Sequence, residues 1–160
     1  MSRAFVKEDG SRPEAVPELP VSPLPNLVTP RGLRHIGSRI AGIEAALAAG
    51  PDEAQALRLR RDLRYWTLRR ATARLTAPDP ADPAVQFGSR VTYRTGDGAT
   101  HTVTLTGEDE ADPASGRIAW AAPIARALTG ATAGSSVDFA RPGGTVELDV
   151  LAVDVPPEAD

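Results

Sequence analysis

The sequence predicts an α+β protein in two parts: an antiparallel helical hairpin, then a small β-sheet domain with one short helix. Three observations carry this. Leu33, Ile36, Ile40, Ile43 and Leu47 recur at alternating spacings of three and four, an a/d seam that needs a partner helix to cover it. From Val85 onward the apolar period drops to two, as strands require. Between these regimes, residues 76–83 set Pro78, Pro80 and Pro83 among aspartates, which marks a stiff linker at a boundary.

Taken in order, residues 1–28 read as an extended tail. Pro13, Pro17, Pro20, Pro23 and Pro25 punctuate it, and it carries neither a helical nor a strand period. Residues 29–76 read as the hairpin arm. Thr29 is a good N-cap, and Pro30 at the first helical position lacks only an N–H that would have no partner there. Gly50-Pro51 breaks the helical pattern. A second helix restarts at Asp52, with Gln55 placed as in a capping box, and Leu59, Leu63 and Trp66 carry the matching stripe. So short a turn forces the two helices antiparallel. The first helix, read from Arg31 to Ala49, reaches about 28 Å at 1.5 Å per residue. Gly32, Gly37 and Gly42 each weaken it by up to about 1 kcal/mol relative to alanine, a loss that packing must offset.

Residues 77–84 form the linker and residues 85–156 the sheet domain. Val91 and Tyr93 alternate with Arg90, Thr92 and Arg94, and Gly96-Asp97-Gly98 turns the chain into a returning strand through Val103 and Leu105. An acidic loop, TGEDEADP at residues 106–113, precedes a short strand around Ile118 and Trp120. Pro123 to Leu128 suits a short helix ended by Gly130. A strand at residues 137–139, a turn at Pro142-Gly143-Gly144 and a last strand through Val146, Leu148 and Val150 complete five strands and one helix.

Composition narrows the function classes. With 41% hydrophobic and 4% aromatic residues the core is aliphatic. The absence of cysteine excludes disulfides and thiolate metal sites. No apolar run nears the roughly 18 residues of a membrane span, and the N-terminus lacks a signal-peptide core; a cytoplasmic monomer with no membrane partner is expected. The net charge of −3 hides an asymmetry. Residues 31–75 hold ten arginines against four carboxylates, +6, while residues 76–160 hold five against thirteen, −8. A basic arm on an acidic body orients the molecule toward a charged partner.

Several residues are candidates for chemistry. Asp52 and Glu53 stand at the arm's tip, where Asp52 also reads as a helix cap and Glu53 as a first-turn acid favoured by the helix dipole. The arginines of the second helix, Arg58, Arg61 and Arg64 foremost and Arg60, Arg69, Arg70 and Arg74 with them, are placed for phosphates or for an acidic channel wall, and equally for a solvated face. Glu108, Asp109, Glu110 and Asp112 resemble a metal loop in composition only. They lack the glycine and closing glutamate of a calcium loop, so a hydrated surface loop is expected. His35 and His101 are isolated.

TGEDEADP, then APIARALTG at residues 122–130, then RPGGTVELDVLAVD at residues 141–154 together resemble the C-terminal domain of the bacterial GreA/GreB transcription elongation factors. LVTPRGL at residues 27–33 is similar to the entry into that family's N-terminal coiled coil. The resemblance implies an FKBP-like C-terminal fold and RNA polymerase as partner. It also implies insertion of the coiled coil into the polymerase's secondary channel, near nascent RNA and template DNA. Pro123, Ile124, Arg126 and Leu128 then become candidates for the polymerase contact. In the family, tip carboxylates help hold a magnesium ion shared with the polymerase, which cleaves backtracked RNA; the factor is an accessory, not an enzyme, and needs no cofactor of its own. Here the tip reads GPDEAQ at residues 50–55 where the family has Gly-Asp-x-x-Glu-Asn, and the arm is shorter by a few turns, over ~10 Å of reach. Asp52 and Glu53 are the carboxylates left for that role. A channel-occupying regulator that does not stimulate cleavage is one alternative, and a general protein-interaction module is another. A prolyl isomerase, the third, would need an aromatic-lined pocket built from Phe87, Tyr93, Trp120 and Phe139.

Overall fold

In the computed structural model, which describes residues 15–157, both helix starts follow their sequence signals. The Thr29 hydroxyl accepts the Gly32 N–H at 2.9 Å and opens α1 (Pro30–Ala48) with proline in the first turn. Asp52 Oδ1 accepts the Gln55 N–H at 2.8 Å and opens α2 (Glu53–Thr72). Gly50, at φ +72°, lets the chain leave α1 in the left-handed conformation that side chains resist. The expected seam is strongest near the hairpin's base. Ile36 and Ile40 are buried there against Leu33, Leu63 and Trp66, while Ile43 and Leu47, nearer the tip, are half-buried. Trp66 is fixed from both sides, with the His35 ring edge-on at 5.8 Å and the Arg39 guanidinium over its face at 5.3 Å.

The tail expected at residues 1–28 contains a strand. Leu27–Val28 (β1) pairs in parallel with Arg74–Leu75 (β2), residues that the sequence assigns to the arm. Parallel strands need a long crossover, and the helical hairpin is that crossover. Two-residue strands carry no readable period, so this pairing follows from topology: antiparallel helices bring the entering and leaving chain to one end. Val28 and Ala73 extend the hydrophobic seam into this closure. Upstream, residues 15–26 hold no helix or strand, and Glu18 pairs with Arg64 on α2. Residues 1–14 of the tail lie outside the described residues.

Residues 77–84 hold no helix or strand. The sheet then runs in the order β5-β4-β3-β7-β6, built from β3 (Arg90–Thr95), β4 (Thr100–Thr106), β5 (Arg117–Ala119), β6 (Ser136–Arg141) and β7 (Gly144–Asp154), with α3 (Pro123–Leu128) between β5 and β6. The α+β class is as expected. β5 stops short of Trp120, which falls in the turn that follows it, whereas β6 and β7 run beyond the expected residues, and Gly144, read as part of the turn, opens β7. Val91, Tyr93, Leu105, Leu148 and Val150 point inward from the strands to meet Ala125 and Leu128 of α3 and Val85. One residue in two faces the core, and the aliphatic composition fills it.

Two glycines let backbone and carboxylate approach at the hairpin's base. A Cβ on Gly107 would lie 2.5 Å from the Leu27 carbonyl oxygen, and one on Gly32 would lie 2.8 Å from Glu110 Oε2. Gly37 and Gly42 have nothing within 4 Å of that position. Gly37→Ala and Gly42→Ala should therefore each stabilise the protein, by about 0.4–1 kcal/mol. Gly32→Ala should destabilise it. Urea unfolding of the three variants checks this, and a stabilising Gly32→Ala would show that the close approach is not required.

Candidate functional site

Glu108, Asp109 and Glu110 are not the hydrated loop that their composition predicts. They wind into a single 3₁₀ turn after β4 and grip the base of the hairpin. Arg69, only 2% exposed, places Nε 2.5 Å from Asp109 Oδ2 and Nη2 3.8 Å from Glu108 Oε2. The Tyr65 hydroxyl, one helical turn earlier, donates to Asp109 Oδ1 at 2.7 Å. Both oxygens of Asp109 are thus held by α2. Glu110, 8% exposed, serves α1 instead: the Thr29 hydroxyl donates to Oε2 at 2.6 Å and Arg31 Nη1 lies 3.2 Å from Oε1. That carboxylate sits at the N-terminus of α1, where the dipole favours it. Asn26 joins from β1's side, donating to the Arg69 carbonyl at 2.7 Å and to Thr72 Oγ1 at 3.2 Å.

Sequence reasoning assigned the α2 arginines to phosphates or to a solvated face; Arg69 has neither role. The charge asymmetry between arm and body is visible in the sequence, but which arginine is buried depends on how the hairpin seats. Burial first, then the Asp109 hydrogen bond, pushes the Tyr65 phenol up to about 12. Burial alone raises Tyr93, whose ring stacks on His101 at 5.3 Å.

Beside the grip lies a cleft of about 280 Å³ between α1 and the sheet. Arg31, Arg34 and Arg117 line it together with Glu110, and proline rings from Pro30 and Pro78 form stiff walls. Among the described residues, no aromatic side chain lines it.

The other expected residues are spread over the surface. At the tip, Asp52 and Glu53 are exposed, and Asp52 commits one oxygen to capping α2. Along the shaft, Arg58 is exposed, Arg61 pairs with its neighbour Asp62 at 2.7 Å, and Arg64 is engaged by Glu18. On α3, Pro123 and Arg126 are exposed and Ile124 is half-buried, whereas Leu128 is fully buried in the core. Leu128 therefore supports α3 from beneath and offers no surface to a partner. The structure does not bring tip, shaft and α3 together. Among the described residues no three His, Asp or Glu side chains converge to hold a metal ion by themselves, and no helix is long and apolar enough to cross a membrane.

Residues 80–155 match the family model described as transcription elongation factor, GreA/GreB, C-terminal. The transcription elongation factor GreB of Neisseria meningitidis is 36% identical over 96 residues, 59% of each chain. GreA of Legionella pneumophila is 40% identical over 75 residues, 46% of this chain and 47% of its own. The chain thus spans less than two thirds of the curated relatives it matches. Among solved structures, GreA factor homolog 1 of Thermus thermophilus overlaps 80% of this chain and 97% of its own, at 16% identity and a TM-score of 0.40.

Two outcomes follow from the grip. Arg69→Ala leaves Asp109 buried without its cation and should cost roughly 3–5 kcal/mol in urea unfolding, while Arg69→Met with Asp109→Leu should recover much of that loss. A double variant as unstable as Arg69→Ala would show that packing, not the ion pair, is at stake. The second outcome concerns alkaline pH. Tyr65 holds its proton more tightly folded than unfolded, so its contribution is complete below pH ~10 and is lost as pH rises through about 12. Titration of tyrosinate absorbance should show a group ionising near pH 12 that Tyr65→Phe removes; an ordinary tyrosine titration for both rings would contradict the geometry.

Proposed function

We propose, from the match of residues 80–155 to the GreA/GreB C-terminal family model, that the chain acts as a GreA/GreB-type factor that binds RNA polymerase at the secondary channel and modulates elongation and backtracking. The family match over the sheet domain is the observation that carries this reading. The sheet domain docks on the polymerase through the exposed part of α3, where Pro123 and Arg126 project and Ile124 is half-covered. The hairpin extends from the opposite side of the grip as a shaft of about 28 Å for the 19 residues of α1. Arg58 is exposed on that shaft and suited to acidic channel walls and nucleic-acid phosphates, while Arg61 and Arg64 would first have to leave Asp62 and Glu18.

The tip decides between cleavage and occupation. A magnesium ion shared with the polymerase would activate water for attack on the RNA phosphodiester. Asp52 and Glu53 are hard oxygen donors suited to magnesium, and two carboxylates make a partial ligand set that only a partner's groups complete. Asp52 fits that role with one oxygen, because the other accepts the Gln55 N–H. An exposed Glu53 on the first turn of α2 is free of the cap. The cap on Asp52 and the short arm favour a factor that fills the channel and stimulates cleavage weakly or not at all. The isomerase reading finds no support in the cleft, whose described lining holds none of the aromatic side chains that proline substrates need.

Stalled elongation complexes test both halves. The full chain should compete with a cleavage-competent GreA for polymerase, and failure to displace it at high concentration would end the family-level reading for this chain. In the same assay, Asp52→Asn with Glu53→Gln should leave binding intact and low cleavage unchanged. Robust cleavage by the unaltered protein that vanishes in the double variant would instead assign the magnesium role to these carboxylates.

A further inference from the structure

The segment before β1 is tied to α2 at two points. At the base, Asn26 is buried and donates to the Arg69 carbonyl and to Thr72 Oγ1. Toward the tip, Arg64 Nε donates to both carboxylate oxygens of Glu18, at 3.1 and 3.3 Å, and Nη2 donates to Oε1. Arg64 and Thr72 stand eight positions apart, so they share one stripe of the helix. That stretch of helix rises about 12 Å at 1.5 Å per residue. The eight steps from Glu18 to Asn26 span roughly 25 Å when extended at 3.1 Å per residue. The segment is therefore slack, and a bend at Pro23 and Leu24 takes up the excess. Val16, Leu19 and Ser22, three apart, are half-buried, while Pro17, Glu18, Pro20 and Val21 are exposed. Among the described residues, Glu18 with Arg64 is the only hydrogen bond or ion pair joining residues 15–24 to the rest of the molecule. Pro17, Pro20 and Pro23 have no N–H with which to make another.

That single polar tie is open to exchange. The Arg64 and Glu18 side chains are 58% and 64% exposed, so water and competing ions reach both. Arg60 lies one helical turn before Arg64, exposed and without a carboxylate partner among the described residues. Like charges at that spacing repel, and Glu18 answers only Arg64. A phosphodiester chain, with an oxyanion at every link, would answer both. We propose that residues 15–25 are a detachable strap: Glu18 holds Arg64 in the place of a nucleic-acid phosphate, and a single-stranded nucleic-acid backbone displaces it to engage Arg60 and Arg64. This rests on the reading of the shaft as the part that meets phosphates. Asn26, buried at the base, is the hinge, so release leaves β1 and the grip undisturbed.

The test is a fluorescence-anisotropy titration of the full chain with a short single-stranded oligothymidine at low salt. Glu18→Gln should tighten binding by about two- to five-fold. Asp138→Asn, which removes one exposed charge from β6, should not match it. In an Arg64→Ala background the gain from Glu18→Gln should vanish. Backbone relaxation by NMR gives a second readout: oligothymidine should raise the mobility of Leu19 and Val21 and leave Asn26 rigid. Equal gains from Glu18→Gln and Asp138→Asn would reduce the contact to net charge and overturn the strap. So would a gain that survives Arg64→Ala, a segment that stays rigid in the bound protein, or no oligothymidine binding by Glu18→Gln. None of these results touches the polymerase reading, which the competition assay decides.

Discussion

The hairpin's placement depends on one buried ion contact, between Arg69 of α2 and Asp109 of the 3₁₀ turn. Removing a guanidinium from water is costly, and the cost is offset only where an anion waits in good geometry. A seating of the hairpin that buried Arg69 away from Asp109 would leave the guanidinium without that anion. The contact therefore acts less as a source of net stability than as a condition on the arrangement. Tyr65 and Glu108 surround the same carboxylate and guanidinium, and Thr29, Arg31 and Glu110 repeat the device for α1. Each helix of the hairpin is thereby tied to a different residue of one three-residue turn.

How much of this was legible in the sequence depends on distance along the chain. The α1 seam, both N-caps and the turn at Gly50 rest on spacings within a few residues, and they emerged as read. So did the alternating strands and α3, whose limits coincide with Pro123 and Leu128. The parallel pairing of β1 with β2 was invisible, because two residues cannot display a period and their partners lie beyond the whole hairpin. The acidic turn was misjudged for a related reason. Three consecutive carboxylates look solvated until arginine and tyrosine arrive from a distant helix. Leu128 shows the reverse error, since a motif can place a residue on a functional helix without saying which side it faces.

At the candidate site the residues divide in the same way. The tip carboxylates were found by position at the end of a predicted hairpin, a local inference. The arginines on α2 have separate fates that only packing assigns: Arg69 is buried, Arg61 and Arg64 are paired, and Arg58 is exposed. The overall asymmetry of basic arm and acidic body is thus partly consumed inside the molecule, where it holds the parts together. What remains on the outside is a smaller dipole than the charge count implies.

The closure of the arm by β1 and β2 has a consequence for how such a protein can vary. Both strands enter and leave at the same end, so the hairpin is an insertion whose far end, among the described residues, makes no hydrogen bond or ion pair to the rest of the fold. Adding a heptad to each helix would carry the tip outward by about 10 Å while leaving Arg69, Asp109 and the strand pairing where they are. Reach is therefore a free dimension of this architecture, adjustable in steps of seven residues, whereas the direction in which the arm points is fixed by a few side chains at its root.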